Sequence, residues 1–164
     1  MIAFKNILVA TDFEETSGAA LDYGRDLARS YGSTLHVVHV VASVLARYTA
    51  EGALVLLADL QAAVERDARE RMDAIITTRD RTSLRAKVAV ITAPDTADAI
   101  VQYAEKHRID LIVMGTHGRR GMTHLLMGSV AERVVRTASC AVLTVRLPQR
   151  EVVAPEVLLA VATA

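Results

Sequence analysis

Short, almost uninterrupted runs of aliphatic residues alternate along this chain with longer stretches whose apolar positions recur every three or four residues. The aliphatic runs, rich in Val, Ile and Leu, span residues 4–11, 34–41, 85–92, 109–114 and 141–146. A period near 3.6 is typical of an amphipathic helix, and a short apolar run is typical of a buried strand. The pattern therefore predicts five strands with helices between them.

The helical stretches differ in how clearly their ends are marked. The first begins near Ser17 and stops at Gly32, a residue that ends helices readily. The third is predicted to be capped by Asp95 or Thr96. The second is a long helix over residues 54–78, whose predicted apolar face carries Leu57, Leu60, Val64, Ala68, Met72 and Ile76. The segment before it, residues 42–53, is ambiguous.

Strict alternation of strands and helices predicts an α/β fold with an open parallel sheet and helices on both faces. The strands are apolar at nearly every position, as expected for strands buried on both sides. One domain is predicted over residues 1–147, and residues 148–164 form a tail that could pack on the domain or on a partner chain. In such sheets ligands bind beyond the carboxyl ends of the strands, where the strand order reverses.

A glycine-rich segment follows the fourth strand at this position. Gly115 and Gly118 lie close together, and Gly128 with Ser129 opens the next helical stretch, which continues through Val130. Glycines let backbone N–H groups crowd an anion, and a helix N-terminus adds partial positive charge. The segment is predicted to hold phosphates, although glycines that only form turns, with Ser129 as a simple helix cap, would give a similar pattern.

Three other residues are candidates for the rest of a nucleotide. Asp12 ends the first strand, and its carboxylate could accept both hydroxyls of a ribose or could instead cap the following helix. Val40 and Val41 end the second strand at the same edge, where they could flank a purine. Strand-end valines are more often simply part of the core, so the pattern alone leaves this assignment open.

Composition narrows the function further. The 164 residues carry 19 basic and 19 acidic side chains, and this zero net charge argues against non-specific binding to nucleic acid or to an anionic membrane. The one cysteine, Cys140, favours a reducing cytoplasm. No Gly-Lys-Ser/Thr segment occurs, and no cluster has metal-site spacing or pairs a nucleophile with a base. The visible chemistry is binding chemistry.

The glycine segment resembles the nucleotide loop of the universal stress protein family. The similarity extends over about residues 3–146 and rests on the segments Lys5 to Asp12, Ala104 to Arg119, Leu126 to Val134 and Ser139 to Arg146. It implies a Rossmann-like sheet of the adenine nucleotide alpha hydrolase type, with strand order 3-2-1-4-5. It also implies a homodimer formed through the last strands, around residues 142–145.

Family members with this glycine motif bind ATP, and the resemblance assigns roles accordingly. Asp12 would contact the ribose and Val41, with Val40 beside it, the adenine. The phosphates would be lined by Gly115, Gly118, Gly128, Ser129 and Val130. The predicted set also includes Met114 before the loop and His117 and Arg119 within it. Any Mg²⁺ would arrive with the triphosphate, and hydrolysis would be slow or absent.

Two other functions stay open on the sequence. The chain could be an interaction module with an empty pocket, because Pro94 stands near a position where many family members have glycine. It could also be a nucleotide-transferring enzyme, although the phosphate motifs of such enzymes do not occur in a matching loop. A regulatory ATP-binding protein is the function that the motif favours.

Overall fold

The computed structural model describes residues 3–43, 54–116 and 128–146 of the chain. Strands and helices alternate as the hydrophobic pattern predicts. The strands are β1 (Asn6–Ala10), β2 (Thr34–Ala42), β3 (Lys87–Ala93), β4 (Leu111–Gly115) and β5 (Ala141–Val145). The helices are α1 (Glu15–Tyr31), α2 (Leu54–Ile75), α3 (Thr78–Ser83), α4 (Thr96–Lys106) and α5 (Ser129–Thr137).

The five strands form one parallel sheet in the order β3-β2-β1-β4-β5, which confirms the predicted 3-2-1-4-5 order. β1 lies at its centre and pairs with β2 on one side and β4 on the other. Ile7, Leu8 and Val9 of this strand are fully buried. Burial on both faces explains why β1 has no polar alternation.

Apolar side chains cover the sheet on both faces. One core contains Ile7 and Val9 of β1 together with buried residues of α1 and α2. The other contains Leu8 and Ala10 with buried residues of α4 and α5. Since successive side chains of a strand point to opposite faces, α1 and α2 lie on one face and α4 and α5 on the other.

Two helix ends match their sequence signals. Gly32 follows α1 with φ 65° and ψ 29°, and this left-handed conformation suits glycine. Asp95 is the N-cap of α4, and its side chain accepts a hydrogen bond from the Asp98 N–H. These signals are local, so the sequence predicts them without knowledge of the fold.

The prediction of a long helix over residues 54–78 is wrong about where the helix ends and about part of its buried face. α2 stops at Ile75, and Thr77 caps the short helix α3 through a capping box with Asp80. Leu60 and Val64 are 50% and 39% exposed, whereas Ala68 and Met72 are buried as predicted. The apolar periodicity of α2 therefore continues beyond the positions that the core covers.

A buried ion pair holds α3 against α1. Arg25 donates from Nη2 to Asp80 Oδ2 at 2.8 Å and to the Ile75 carbonyl at 2.7 Å. Burial alone would raise the pKa of Asp80, but hydrogen bonds from Arg25 and Thr77 outweigh it and hold this pKa below its ordinary value. The pair fixes the turn after α2 that the sequence pattern did not predict.

Candidate functional site

The strand order reverses between β1 and β4. From β1 the chain runs through α1 to β2 on one side, and from β4 it runs through α5 to β5 on the other. α1 and α5 lie on opposite faces of the sheet, so their N-termini leave a crevice between them at the carboxyl ends of β1 and β4. A crevice of this kind is where open α/β sheets bind ligands.

Asp12 lies at this crevice, two residues after the end of β1. Its Oδ1 accepts a hydrogen bond from the Glu14 N–H at 3.1 Å, and within the described residues no hydrogen bond engages its Oδ2. The N-cap of α1 is Glu14, so Asp12 holds the turn before the helix without capping it. The half-buried carboxylate therefore keeps one oxygen for a ligand.

Phe13 holds this turn in an unusual conformation and was not among the predicted site residues. Its φ is 68°, a left-handed value that is a genuine outlier for a bulky side chain. Its ring lies 4.3 Å from the His39 ring, between centroids, and 4.3 Å from the Arg71 guanidinium carbon. These contacts, with a Phe13 N–H bond to Thr11 Oγ1, fix the direction of the Asp12 side chain.

The two valines at the end of β2 point to opposite faces of the sheet. Val41 is 3% exposed, whereas Val40 is half-buried and packs on the core beneath α4 and α5. His36 and His39, three residues apart on the same strand, also face opposite sides. At this edge Val40 and the strand backbone offer the surface that could lie beside a base.

Met114 and Gly115 end β4 beside β1, where Met114 pairs in register with Ala10. Met114 is buried on the α4 and α5 face. A Cβ on Gly115 would lie 2.9 Å from Thr16 Cγ2 and 3.2 Å from the Thr16 carbonyl carbon. Glycine at this position is thus explained by the close approach of α1 to β4, and contact with phosphates stays a prediction.

The ends of the glycine segment meet above β4. The Gly128 N–H donates to the Thr116 carbonyl at 2.6 Å, and the Thr116 N–H donates to Val145 at 2.9 Å. Gly128 is the N-cap of α5, so the interpretation of Ser129 as the helix cap is wrong. Among the described residues no side chain caps this helix, and Ser129 and Val130 begin the turn whose N–H groups lack intrahelical partners.

His117, Gly118 and Arg119 lie outside the described residues, as does the tail over residues 148–164. The remaining predicted residues are brought to one edge of the sheet from four separate parts of the chain. They are Asp12, Val40, Val41, Met114, Gly115, Gly128, Ser129 and Val130. Their arrangement offers a carboxylate oxygen on one side of the crevice and an open helix N-terminus on the other.

Three features of the described residues bear on other functions. No group of three or more His, Cys, Asp or Glu side chains there could hold a metal ion. Nor does any described helix combine the length and apolarity needed to cross a bilayer. A shallow groove on the outer side of α5 is lined by Ser129, Glu132, Arg133, Arg136 and Thr137, and it is separate from the Asp12 side of the crevice.

The sheet order, the two helical layers and the crevice define a doubly wound, Rossmann-like α/β protein with an open crevice at its switch point. Comparison with known sequences makes the assignment specific. The sequence model of the Universal stress protein family matches residues 3–146, and the chain belongs to this family. The match includes every element of the sheet.

Individual relatives agree with this assignment. Universal stress protein MJ0531 of Methanocaldococcus jannaschii is 31% identical over 149 residues, which cover 90% of this chain and 85% of the relative. Among solved structures, universal stress protein UspA from Lactobacillus plantarum has a TM-score of 0.72 at 28% identity. That comparison covers 89% of this chain and all of the other.

Two family structures with lower identity contain nucleotides. A universal stress protein from Archaeoglobus fulgidus was solved in complex with dAMP, and it matches with a TM-score of 0.59 at 20% identity. Another universal stress protein was solved in complex with cAMP and matches with a TM-score of 0.56 at 23% identity. Each of the two comparisons covers 88% of this chain. At these identities the likeness shows a shared fold.

Proposed function

We propose that this chain is a regulatory protein that binds ATP at the crevice between β1 and β4, with slow or no hydrolysis. The observation that carries the proposal is the pairing of two complementary features across the crevice. Asp12 offers an unused carboxylate oxygen to a ribose, and the uncapped N-terminus of α5 offers N–H groups to phosphates. The nucleotides in related structures support an adenine ligand.

The proposed absence of rapid turnover follows from the same residues. The sequence has no Walker lysine, and Asp12 is the one carboxylate among the described residues of the predicted site. Burial raises the pKa of the Cys140 thiol, which makes it a poor nucleophile and suits a reducing cytoplasm. Mg²⁺ would enter with the triphosphate, because the metal usually keeps phosphate and water ligands.

Calorimetric titration with ATP tests the site, and Gly128→Val is the informative variant. Gly128 has φ −58° and ψ 148°, a backbone conformation open to any residue, so valine should leave the fold intact. Its side chain would occupy space that the phosphates need. We expect micromolar binding by the wild type and a loss of at least about tenfold in the variant.

Gly18→Ala is the matched control for that titration. Gly18 lies in α1 near the crevice, and a Cβ there would meet nothing within 4 Å. Its affinity for ATP should equal that of the wild type. Unchanged affinity in a folded Gly128→Val protein would disprove the assignment of the phosphate site. A folded wild type that binds no nucleotide would favour an interaction module instead.

The proposal includes a homodimer formed through β5. This strand is at the edge of the sheet, and Val142, Leu143 and Thr144 are only half-buried on the single chain. An edge strand carries unpaired backbone groups that a second copy can complete. Light scattering should give a mass of about 35 kDa, twice the 17.7 kDa of one chain.

Thr144→Lys tests which edge forms the dimer. A lysine on β5 opposes strand pairing, so this variant should shift toward the 17.7 kDa monomer while circular dichroism shows a retained fold. Thr92→Lys on β3, the opposite edge, is the matched control and should stay dimeric. A monomeric wild type, or a Thr144→Lys protein that remains fully dimeric, would contradict the proposed interface.

A further inference from the structure

An ion-pair network joins the first turns of α4 and α5 beside the predicted phosphate site. Arg133, four residues after Ser129, donates from Nη1 to Asp95 Oδ2 at 2.6 Å. Its Nη2 donates to both oxygens of Asp98, at 2.8 and 3.0 Å. One half-exposed guanidinium thus engages two carboxylates at the start of the neighbouring helix through charge-assisted hydrogen bonds.

The carboxylate side of this network is itself held in place. Asp95 caps α4 through Oδ1, which accepts from the Asp98 N–H at 2.9 Å, and Oδ2 of the same side chain contacts Arg133. α4 is anchored to the sheet by the buried residues Ala97 and Ile100. Arg133 therefore connects α5 to a part of the molecule whose position is already fixed.

The first turn of α5 packs on the core through Ala131, and Arg133 adds a contact with α4. The N-cap of α5, Gly128, has no side chain that could accept a hydrogen bond. Outside the helix, the Gly128 N–H donates to the Thr116 carbonyl. Fixed N–H groups bind an anion without the cost of ordering them first, which is the benefit of preorganisation.

We propose that Arg133 is a positioning residue for the nucleotide phosphates, which acts by fixing the first turn of α5 against Asp95 and Asp98. This inference rests on the proposed function and adds a determinant of phosphate affinity outside the glycine segment. It does not require Arg133 to touch the ligand. Direct contact is the competing mechanism, and it would require the guanidinium to leave both carboxylates.

The two mechanisms predict opposite effects for Asp98→Asn. If Arg133 positions α5, the uncharged asparagine binds the guanidinium more weakly than Asp98 does. The helix then loosens, and ATP affinity falls. If Arg133 binds phosphate directly, the same change releases it and raises ATP affinity. Titrations with ATP and with adenosine separate a phosphate effect from a general one, because adenosine lacks the group that α5 would hold.

We expect Arg133→Gln to weaken ATP binding about tenfold and to change adenosine binding less than about twofold. Arg133→Lys should recover part of the loss, since lysine keeps the charge but lacks the bidentate fork. Arg136→Gln is the matched control: this exposed arginine pairs within α5 with Glu132 at 3.8 Å, and its loss should change ATP affinity less than about twofold.

Equal losses of ATP and adenosine affinity in Arg133→Gln would overturn the proposal, as would stronger ATP binding by Asp98→Asn. A wild type that binds neither ligand would refute the proposed function. The positioning role of Arg133 is then tested separately by the hydrogen-exchange rate of the Glu132 amide, which donates to the Gly128 carbonyl at 2.9 Å. Faster exchange in Arg133→Gln supports the anchoring of α5, and unchanged exchange overturns it.

Discussion

His36 is buried on β2, six residues before the strand ends and therefore about 20 Å from the crevice. Its Nδ1 lies 3.0 Å from the Tyr103 hydroxyl, and its Nε2 has no hydrogen-bond partner among the described residues. Burial, reinforced by the positive charge of Lys87 and by His107, lowers the pKa of His36 to about 4. This residue is neutral in the folded protein at physiological pH.

Acid should therefore destabilise the fold through His36. Its folded pKa is below the ordinary 6.5, so the unfolded chain binds the proton more tightly and stability falls as pH drops from about 6.5 toward about 4. Between pH 7 and pH 5 the free energy of unfolding should fall by about 2 kcal/mol from this group. Urea denaturation at both pH values measures the change.

His36→Gln removes the titrating ring and should remove most of that pH dependence. Tyr103→Phe, which keeps the imidazole and deletes only its hydroxyl partner, is the matched control and should retain it. An equally steep pH dependence in His36→Gln would assign the effect to other groups.

Single residues also mark the limits of reading this site from sequence. Asp12 and Gly128 could be recognised because a carboxylate at a strand end and a glycine before a helix carry local signals. The role of Phe13 could not, because a positive φ is expected of glycine or asparagine and is imposed here by contacts with His39 and Arg71. The fit of Gly115 against α1 likewise depends on tertiary packing.

Among the elements, α1 packs on β1 through a glycine. A Cβ on Gly24 would lie 2.3 Å from Val9 Cγ2, a fully buried and rigid side chain. Gly24→Ala should therefore lower the free energy of unfolding by about 1–3 kcal/mol, because overpacking displaces the helix. Thermal or urea denaturation of the variant provides the measurement.

The same helix offers an internal control for this effect. Gly18 is exposed with open space around it, so Gly18→Ala should stabilise the protein by about 0.5–1 kcal/mol through helix propensity. Combining Gly24→Ala with Val9→Ala should cost less than the sum of the two single changes, since the new methyl group fills the space left by valine. Strict additivity would show that the two positions do not compete for space.

Element boundaries were predictable where the signal was local. Gly32 and Asp95 set the ends of α1 and α4 as the sequence indicates. α2 differs because its apolar periodicity continues past the positions that the core covers, and Leu60 and Val64 are exposed. Periodicity identifies the apolar face of a helix, but whether that face is covered depends on tertiary packing.

At the scale of the whole molecule, the alternating pattern was sufficient to predict a parallel sheet covered on both faces. The strand order came from resemblance to the universal stress protein family, and the structure confirms it. That order places Asp12, Met114 and Gly128 at one crevice, although Asp12 and Gly128 lie more than a hundred residues apart in the sequence. The Arg133 network could not be predicted, because it depends on how α4 and α5 are set side by side.

The nucleotide content of the freshly purified protein tests the central claim most directly. Denaturing the wild type and Gly128→Val and separating the released small molecules by chromatography would identify what each carries. We predict adenine nucleotide from the wild type and little from the variant. A folded wild type that releases no nucleotide and takes up none when ATP is added would contradict the assignment of this crevice as an ATP site.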